Sequence, residues 1–564
     1  MRPVDALLQI LRDEQVTTVF GNPGTTELPF TEALVDAEDI AYVLGTQEGS
    51  VVAMADGYAR ATGRPAFVSL HIAAGLANGL VGLLNASRSR TPMVVMSGQQ
   101  DRRHLAQNPL LTGDLVGLAK PAVKHTFDVQ HAADLPGMLR RAFALAMQPP
   151  TGPVFLSVPM DLLAEDTQVE LPARSELVPL GAAAGLERAA ALLAGARSPA
   201  VVAGDGVGRA YAVAELTAVA EALGAVTYHQ PMHDRVNFPG THPLHGGDLV
   251  PTNAAIREAL TGHDVVLIVG CQAFTPHHYT PGPPIPAGTQ VVQLDCEQEQ
   301  LGRNFGVDLG LVGGIRPSLA ELADRLAGRI PQAAARIATA GTGAEARRAW
   351  VDAEARGRYG AAPLDPLAAV HAVVAGLPAD AVVLEEAITC GVLLREVLHQ
   401  DRPGSLVHTL GGGLGWGIGA AVGTMLGDPT RPLVAVLGDG CSLFGLQGLW
   451  SAARYGVPVT FVVMNNGEYR TLKNTLDSWD SRATQTGRYI GLDLGSPPMD
   501  FRKAADFFGI DSVRIQDADH LVDSVAKAAD LQRPFLIDVP ITGHTPGARP
   551  MPIGVPNDST EAAR

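Results

Sequence analysis

Between Leu433 and Asn466 the chain contains two apolar runs, Leu433 to Leu437 and Val459 to Met464, joined by a helix-like segment from about Leu446 to Tyr455. Strands joined through a helix pair in parallel with a right-handed crossover, so this stretch commits its surroundings to a parallel sheet with helices on its faces. Both strands finish on hard oxygen ligands. The first ends in Gly438-Asp439-Gly440 and the second in Asn465-Asn466, with Glu468 two places further on. Ligands of a parallel sheet sit beyond the carboxyl ends of its strands. A carboxylate from Asp439 and an amide oxygen from Asn466, beside glycines that admit close backbone approach, suit an octahedral divalent cation that also holds phosphate.

Similar strand and helix alternation recurs through the 564 residues, so the expected class is α/β, with three domains each built on a mainly parallel sheet flanked by helices. The expected boundaries are 1–170, 185–330 and 360–545, with a Pro-, Ala- and Gly-rich linker near 166–185 and a polar, alanine-rich helical connector from Gln332 to Gly360. From about Thr545 the chain is rich in Pro, Gly and polar residues and is expected to be loosely attached. A formal charge of -16 opposes non-specific attraction to nucleic acid or anionic membranes. The uncharged stretch from about Pro403 to Gly427 is too glycine-rich to favour a membrane helix over a buried one. Four cysteines, none in a CxxC pair, indicate neither a disulfide framework nor a thiolate zinc site, and a reducing cytoplasm fits best.

Several further motifs carry chemistry. Glu48 stands at a strand-to-helix junction in TQEGSVVAMADGYARATG, where a plain helix-start charge is the bland alternative. Upstream, Asn22-Pro23-Gly24-Thr25 reads as a turn followed by a helix cap. His71 lies in Leu70-His71-Ile72-Ala73-Ala74-Gly75, with Asn78 three residues beyond Gly75, and His277 and His278 form a pair in the middle region. An isolated histidine after a strand is more often structural than a proton carrier, because near-neutral titration is a capacity rather than a use. Thr389 sits in a segment that opens a helix, whose free N–H groups suit phosphate. In the run Gly411 to Gly417 a single leucine, Leu414, interrupts the glycines. The turn Gly204-Asp205-Gly206-Val207-Gly208 lacks the GxGxxG spacing and is a weak dinucleotide signal.

The GDG, the interval of residues 441 to 464, and the Asn-Asn together resemble the signature of thiamine diphosphate-dependent enzymes. The loop Gly21-Asn22-Pro23-Gly24, the following ELPF and the histidine segment narrow the resemblance to the benzoylformate decarboxylase branch. It implies a 2-oxo acid decarboxylase that uses thiamine diphosphate and magnesium, with calcium able to substitute and FAD not expected. Glu48 would hold the aminopyrimidine protonated, so that its 4'-imino form can take the thiazolium C2 proton. His71 and His277, the latter preferred over its neighbour His278, would transfer protons, and Thr25 would orient the substrate carboxylate. Asp439, Asn466 and the Glu468 carbonyl would hold the metal. Pro23, Gly24, Asn78, Thr389, Gly412, Leu414, Gly438, Asp439, Gly440, Cys441, Asn466 and Tyr469 would contact the cofactor, Gly412 through its carbonyl and Leu414 as the prop that keeps it bent. Ile388 replaces a hydroxyl residue of the relatives. The resemblance also implies a homodimer or homotetramer with sites shared between subunits. Thr475 stands where a phenylalanine would line a phenyl pocket, so an aromatic substrate is not expected and a larger or polar 2-oxo acid is. The alternative is a carboligase of the acetohydroxyacid synthase type, in which a middle-domain flavin would be the distinguishing mark.

Overall fold

The computed structural model describes residues 1–272 and 274–544, and the expectation of a loose end from Thr545 lies outside the described residues. Among the described residues, eighteen strands form three six-stranded sheets in which every paired neighbour runs parallel. The first sheet holds β1 (Thr18–Gly21), β2 (Ala41–Leu44), β3 (Ala66–Leu70), β4 (Met93–Gln99), β5 (His125–Asp128) and β6 (Pro153–Pro159) in the order β2-β1-β3-β4-β6-β5. The middle sheet holds β7 (Pro199–Ala203), β8 (Val226–His229), β9 (His245–Asp248), β10 (Val265–Val269), β11 (Gln290–Asp295) and β12 (Leu309–Val312) in the order β12-β11-β10-β7-β8-β9. In the third, β13 (Val382–Glu386), β14 (Leu406–Val407), β15 (Leu433–Gly438), β16 (Val459–Asn465), β17 (Asp511–Arg514) and β18 (Phe535–Pro540) follow the order β14-β13-β15-β16-β18-β17. The first and third sheets thus share one topology, while the middle sheet has the doubly wound order of dinucleotide-binding folds.

Central strands such as β15 and β16 are buried on both faces and read as mainly apolar runs. Edge strands such as His125–Asp128 and Asp511–Arg514 are short and polar, which is why apolar pattern alone does not mark them. The connector is one helix, Ala333–Arg356. Gly411 to Gly415 forms a loop ahead of the buried helix Trp416–Gly427, and no described helix is long and apolar enough to cross a membrane.

The first and third domains share a hydrophobic core, and its centre is the packing of helix Glu48–Thr62 on helix Trp416–Gly427. Backbones touch there. A Cβ added at Gly57 would lie 2.0 Å from the Ala420 carbonyl oxygen, and one at Gly423 would lie 1.8 Å from that of Met54. A polar pin crosses the same contact: the buried Trp416 Nε1–H donates to Asp56 Oδ2 at 2.7 Å, and the other Asp56 oxygen pairs with Arg60 at 2.9 Å. Arg60 extends the pin to the middle domain through Asp234 at 3.4 Å.

In the middle domain the GDGVG turn lies at the switch point between β7 and β10. Its glycines serve packing. Gly206 N–H donates to the Gly270 carbonyl at 2.9 Å, and a Cβ at Gly204 would lie 2.3 Å from that same oxygen. Asp205, fully buried, accepts from Gln230 at 2.6 Å, the Asp234 amide at 3.0 Å and Asn237 at 2.8 Å, so this carboxylate ties the loop between β8 and β9 to the turn after β7 at three points.

Gly423→Ala should therefore push the two helices apart and destabilise the protein by about 1–3 kcal/mol. Thermal unfolding should show the loss, whereas Gly343→Ala, on an exposed helical position with nothing within 4 Å of the added carbon, should leave the midpoint level or raise it.

Candidate active site

The chemistry-bearing residues gather where the strand order reverses in the first and third sheets, between β1 and β3 and between β13 and β15. After β1 the chain enters the Asn22 to Glu27 loop, and after β3 it reaches His71, the N-cap of helix Ile72–Arg88. His71 Nδ1 lies 2.9 Å from Glu27 Oε2 and 3.1 Å from Thr26 Oγ1. Glu27 is fully buried, and it also accepts the amides of Gly24 at 2.9 Å and Gly98 at 3.0 Å and the Thr26 hydroxyl at 2.7 Å. With Nδ1 held toward a carboxylate, Nε2 is the ring nitrogen available to a ligand. Gly24 has to be glycine here, since a Cβ would lie 2.1 Å from His71 Nδ1. Pro23 and Thr25 are exposed on the same loop.

Glu48 opens helix Glu48–Thr62, whose N-cap is the preceding Gln47, with its side chain accepting the Ser50 amide. The Glu48 carboxylate is 8% exposed, and each oxygen receives one amide donor: Asn22 Nδ2 at 3.1 Å and Asn78 Nδ2 at 3.0 Å. Two fixed amides orient a carboxylate while leaving lone pairs for a further donor.

In the third domain Asp439 follows β15, and its Oδ2 accepts the amides of Asn466 at 3.0 Å and Gly467 at 2.6 Å from the end of β16. Its Oδ1 accepts the Gly440 amide at 2.7 Å. Burial raises the Asp439 carboxyl above its ordinary value, and the three amides pull it back. The two asparagines divide their work. Asn465 Nδ2 is buried against Asp538 at 3.0 Å and Met499 O at 3.2 Å, while Asn466 Oδ1 accepts the Glu468 amide at 3.0 Å beside Asp439. The Glu468 carboxylate turns away to Lys473 and the His544 amide, which leaves its carbonyl as the group it offers a metal. The Tyr469 ring covers Gly440, where a Cβ would lie 2.8 Å from Cε1. Cys441 is buried behind Gly438 in the short helix Asp439–Leu443, and burial pushes its thiol well up. Thr389 lies in the first turn of helix Ile388–Val397, which has no side-chain cap, and its hydroxyl is 2.8 Å from that of Thr471.

This donor set fits a magnesium diphosphate: carboxylate, amide and carbonyl oxygens at adjacent strand ends face an uncapped helix N-terminus. Gly412, exposed at φ +72°, has nothing within 4 Å of an added Cβ, and Leu414 beside it is half-buried. The histidine pair lies with this half of the chain. His277 Nδ1 is 3.1 Å from His278 Nε2, and the His278 ring sits edge-on to Trp479 at 6.4 Å. The hydrogen bonds of Glu48 and His71 stay within the first domain and those of Asp439 within the third.

Asn22 and Glu27 sit in or beside a motif that sequence alone reads as a turn and a helix cap, so their contacts become visible only when Glu48 and His71 arrive from later in the chain. Glu386 is a third case. Fully buried at the end of β13, it accepts the amides of Gly415 at 2.8 Å, Trp416 at 3.2 Å and Gly417 at 2.7 Å and so caps the helix after the glycine run. A further cluster, His229, His245 and Asp248 in the middle domain, has metal-ligand spacing. There, however, His229 Nε2 accepts the Phe238 amide at 3.2 Å, which leaves the proton on Nδ1, facing His245 at 3.2 Å and Asp248 at 3.3 Å.

Comparison with known proteins agrees with this division. Residues 1–118 match the N-terminal TPP binding domain of thiamine pyrophosphate enzymes, residues 186–322 their central domain and residues 388–539 their C-terminal TPP binding domain. The chain belongs to the thiamine pyrophosphate enzyme family. It is 35% identical over 543 residues to benzoylformate decarboxylase of Pseudomonas aeruginosa, covering 95% of this chain and 98% of that one. It is 27% identical to the acetolactate synthase large subunit of Haemophilus influenzae, covering 94% and 92%. The solved structure of the thiamine diphosphate-dependent 4-hydroxybenzoylformate decarboxylase of Rhodococcus jostii RHA1 superposes with a TM-score of 0.85 at 30% identity, covering 96% of this chain and all of that one.

Burial pushes the Glu386 carboxyl up to about 8, against the pull of its three amide donors. An unfolded glutamate titrates near about 4.3, so between those values the folded chain keeps a proton that the unfolded chain releases. Stability contributed by this group is therefore present at low pH and is lost as the pH rises toward 8. Melting temperatures measured from pH 5 to pH 8 should fall less steeply in Glu386→Gln than in the wild type; equal slopes would mean that Glu386 is ionised throughout.

Proposed function

We propose that the protein is a thiamine diphosphate- and magnesium-dependent decarboxylase that converts a 2-oxo acid to an aldehyde. The observation that carries this reading is the buried Glu48 carboxylate, oriented by Asn22 and Asn78, in a family whose two cofactor-binding domains are both present. When bound, the cofactor supplies a carbanion that adds to the 2-oxo carbon and an electron sink for the pair released as carbon dioxide leaves. Asp439, Asn466 and the Glu468 carbonyl hold the metal. Thr389 and the amides of helix Ile388–Val397 receive the diphosphate, with the backbone from Gly438 to Cys441 alongside and Tyr469 closing that loop. Glu48 would hold the aminopyrimidine ring by its carboxylate, the Gly412 carbonyl would accept from its amino group, and Leu414 would be the apolar prop. His71, held by Glu27, moves a proton through Nε2, and His277 supplies the second transfer from the opposite side. Thr25, exposed beside Gly24, receives the substrate carboxylate.

The site is assembled from two chains, Glu48 and His71 from one and Asp439 and Gly412 from the other. Support comes from the open face of Gly412 and from Val81, Leu84, Leu443 and Phe444, large apolar side chains left exposed on one chain. In the segment after Asn466, Lys473 is buried and paired with Glu468 and Asp493, so its charge is spent internally. Thr475 bonds back to the Thr471 carbonyl at 2.9 Å, and Leu472 is half exposed. The substrate end is thus less polar than its residue types imply, and a larger aliphatic 2-oxo acid fits it.

With thiamine diphosphate, Mg2+ and a panel of 2-oxo acids from pyruvate to benzoylformate, the protein should release carbon dioxide and an aldehyde. Adding an aldehyde acceptor tests the carboligase alternative, which predicts a ligated product in place of free aldehyde. Glu48→Gln should lower kcat on the order of a hundredfold or more. Unchanged turnover would sink the assignment of Glu48. Mixing inactive Glu48→Gln chains with inactive Asp439→Asn chains should restore activity, because one site in each mixed dimer is then intact.

A further inference from the structure

Helix Ile72–Arg88 carries Asn78 and Asn85, seven positions apart. Seven residues return to nearly the same face, about 10 Å further along the axis. Asn78 reaches Glu48. Asn85, 1% exposed, reaches the third domain of its own chain: its Nδ2 donates to the Gly413 carbonyl at 2.8 Å, and its Oδ1 accepts the Gly413 amide at 3.0 Å. The loop lies directly on the helix, since a Cβ at Gly411 would meet Asn85 Oδ1 at 2.1 Å and one at Gly413 would meet Val81 Cγ2 at 2.4 Å. Glu386 grips the amides that follow, from Gly415 to Gly417. Between these anchors Gly412 has no packing neighbour where a side chain would be, so the direction of its carbonyl is set by the residues on either side. A buried amide side chain is costly unless both ends are paired, and here both are paired to a single residue of the loop.

We propose that Asn85 is a positioning residue for the aminopyrimidine. By gripping Gly413 it holds the Gly412 carbonyl and Leu414 where the ring meets them. Because that loop belongs to its own chain, Asn85 serves the site completed by a second copy's first domain, while Asn78 on the same helix serves the site that contains its own Glu48. One helix therefore reaches into both sites of a dimer. This rests on the shared-site reading above.

The first measurement is thiamine diphosphate affinity with Mg2+ and no substrate, followed by tryptophan fluorescence. Asn85→Ala should weaken binding about tenfold, the equivalent of roughly 1.4 kcal/mol for the lost pair of hydrogen bonds. Asn85→Asp, which sets a buried carboxylate oxygen against the Gly413 carbonyl, should weaken it at least as much, and a cooperative melting transition in the cofactor-free variants guards against a folding defect. Wild-type affinity in both variants would overturn the proposal. The second measurement uses mixed dimers of Glu48→Gln and Asn85→Ala chains. One site then carries both changes and the other neither, so the mixture should show a site with wild-type turnover and wild-type cofactor affinity. Should the active site in that mixture bind as weakly as the Asn85→Ala homodimer, Asn85 acts through its own Glu48 and the proposal fails. The Glu48→Gln and Asp439→Asn mixture separates the two readings: without restoration there, the shared site and the trans assignment fall together, while the homodimer affinities still decide whether Asn85 grips the loop.

Discussion

Everything in this molecule is referred to the backbone contact between helices Glu48–Thr62 and Trp416–Gly427. Glycines at 57, 419 and 423 let main chain meet main chain, and at that separation no side chain can slip between to change the angle. Both helices begin at residues proposed to meet the cofactor, Glu48 on one and the Gly411 to Gly415 loop ahead of the other. A contact made for packing therefore also fixes where the acid and the glycine loop stand. The pin from Trp416 through Asp56 to Arg60 and Asp234 is polar and buried, and it orients the same contact while bringing in the middle domain.

Around that contact the site follows one pattern of support. Groups proposed to meet the cofactor are each held by neighbouring side chains: Glu48 by the half-buried Asn22 and the exposed Asn78, His71 by the buried Glu27, and the Gly412 loop by the buried Asn85 and Glu386. The buried ones, Glu27, Asn85 and Glu386, keep geometry narrow because their own rotamers are locked by packing and hydrogen bonds. The repetition of a single sheet order in the first and third domains explains why the supports fall where they do. In both, the loops past the switch point are the places with space beyond the strand ends.

The parts of the fold that pattern reveals are those where burial dictates residue type. Leu433 to Gly438 and Val459 to Asn465 are mainly apolar and buried because both faces of their sheet are covered, and they lie where the sequence places them. The edge strands escape notice because a half-exposed strand tolerates Asp, Arg and His. The same reasoning sorts the site. Glu48, His71, Asp439 and Asn466 stand in motifs whose spacing is itself the signal, whereas Glu27, Asn85 and Glu386 are single polar residues in ordinary contexts. Their meaning lies in partners 44, 328 and 29 residues away. The Gly204 to Gly208 turn is the converse case, a motif whose local form suggests a ligand and whose glycines are taken up by Gly270.

By itself the sequence determined the α/β alternation, the strands that end at Asp439 and Asn466, and which residues there offer oxygen atoms, a carboxylate and open glycine backbone. These are properties of short stretches, set by local burial and by which atoms each side chain offers. Only the tertiary structure decided which oxygen of Glu48 meets which asparagine, which nitrogen of His71 is left for a ligand, that Lys473 spends its charge on Glu468 and Asp493, and that Asn85 holds the glycine loop. The first two arise from packing within the first domain and the third from packing within the third domain, whereas Asn85 meets Gly413 only once the helices of those two domains have closed on one another.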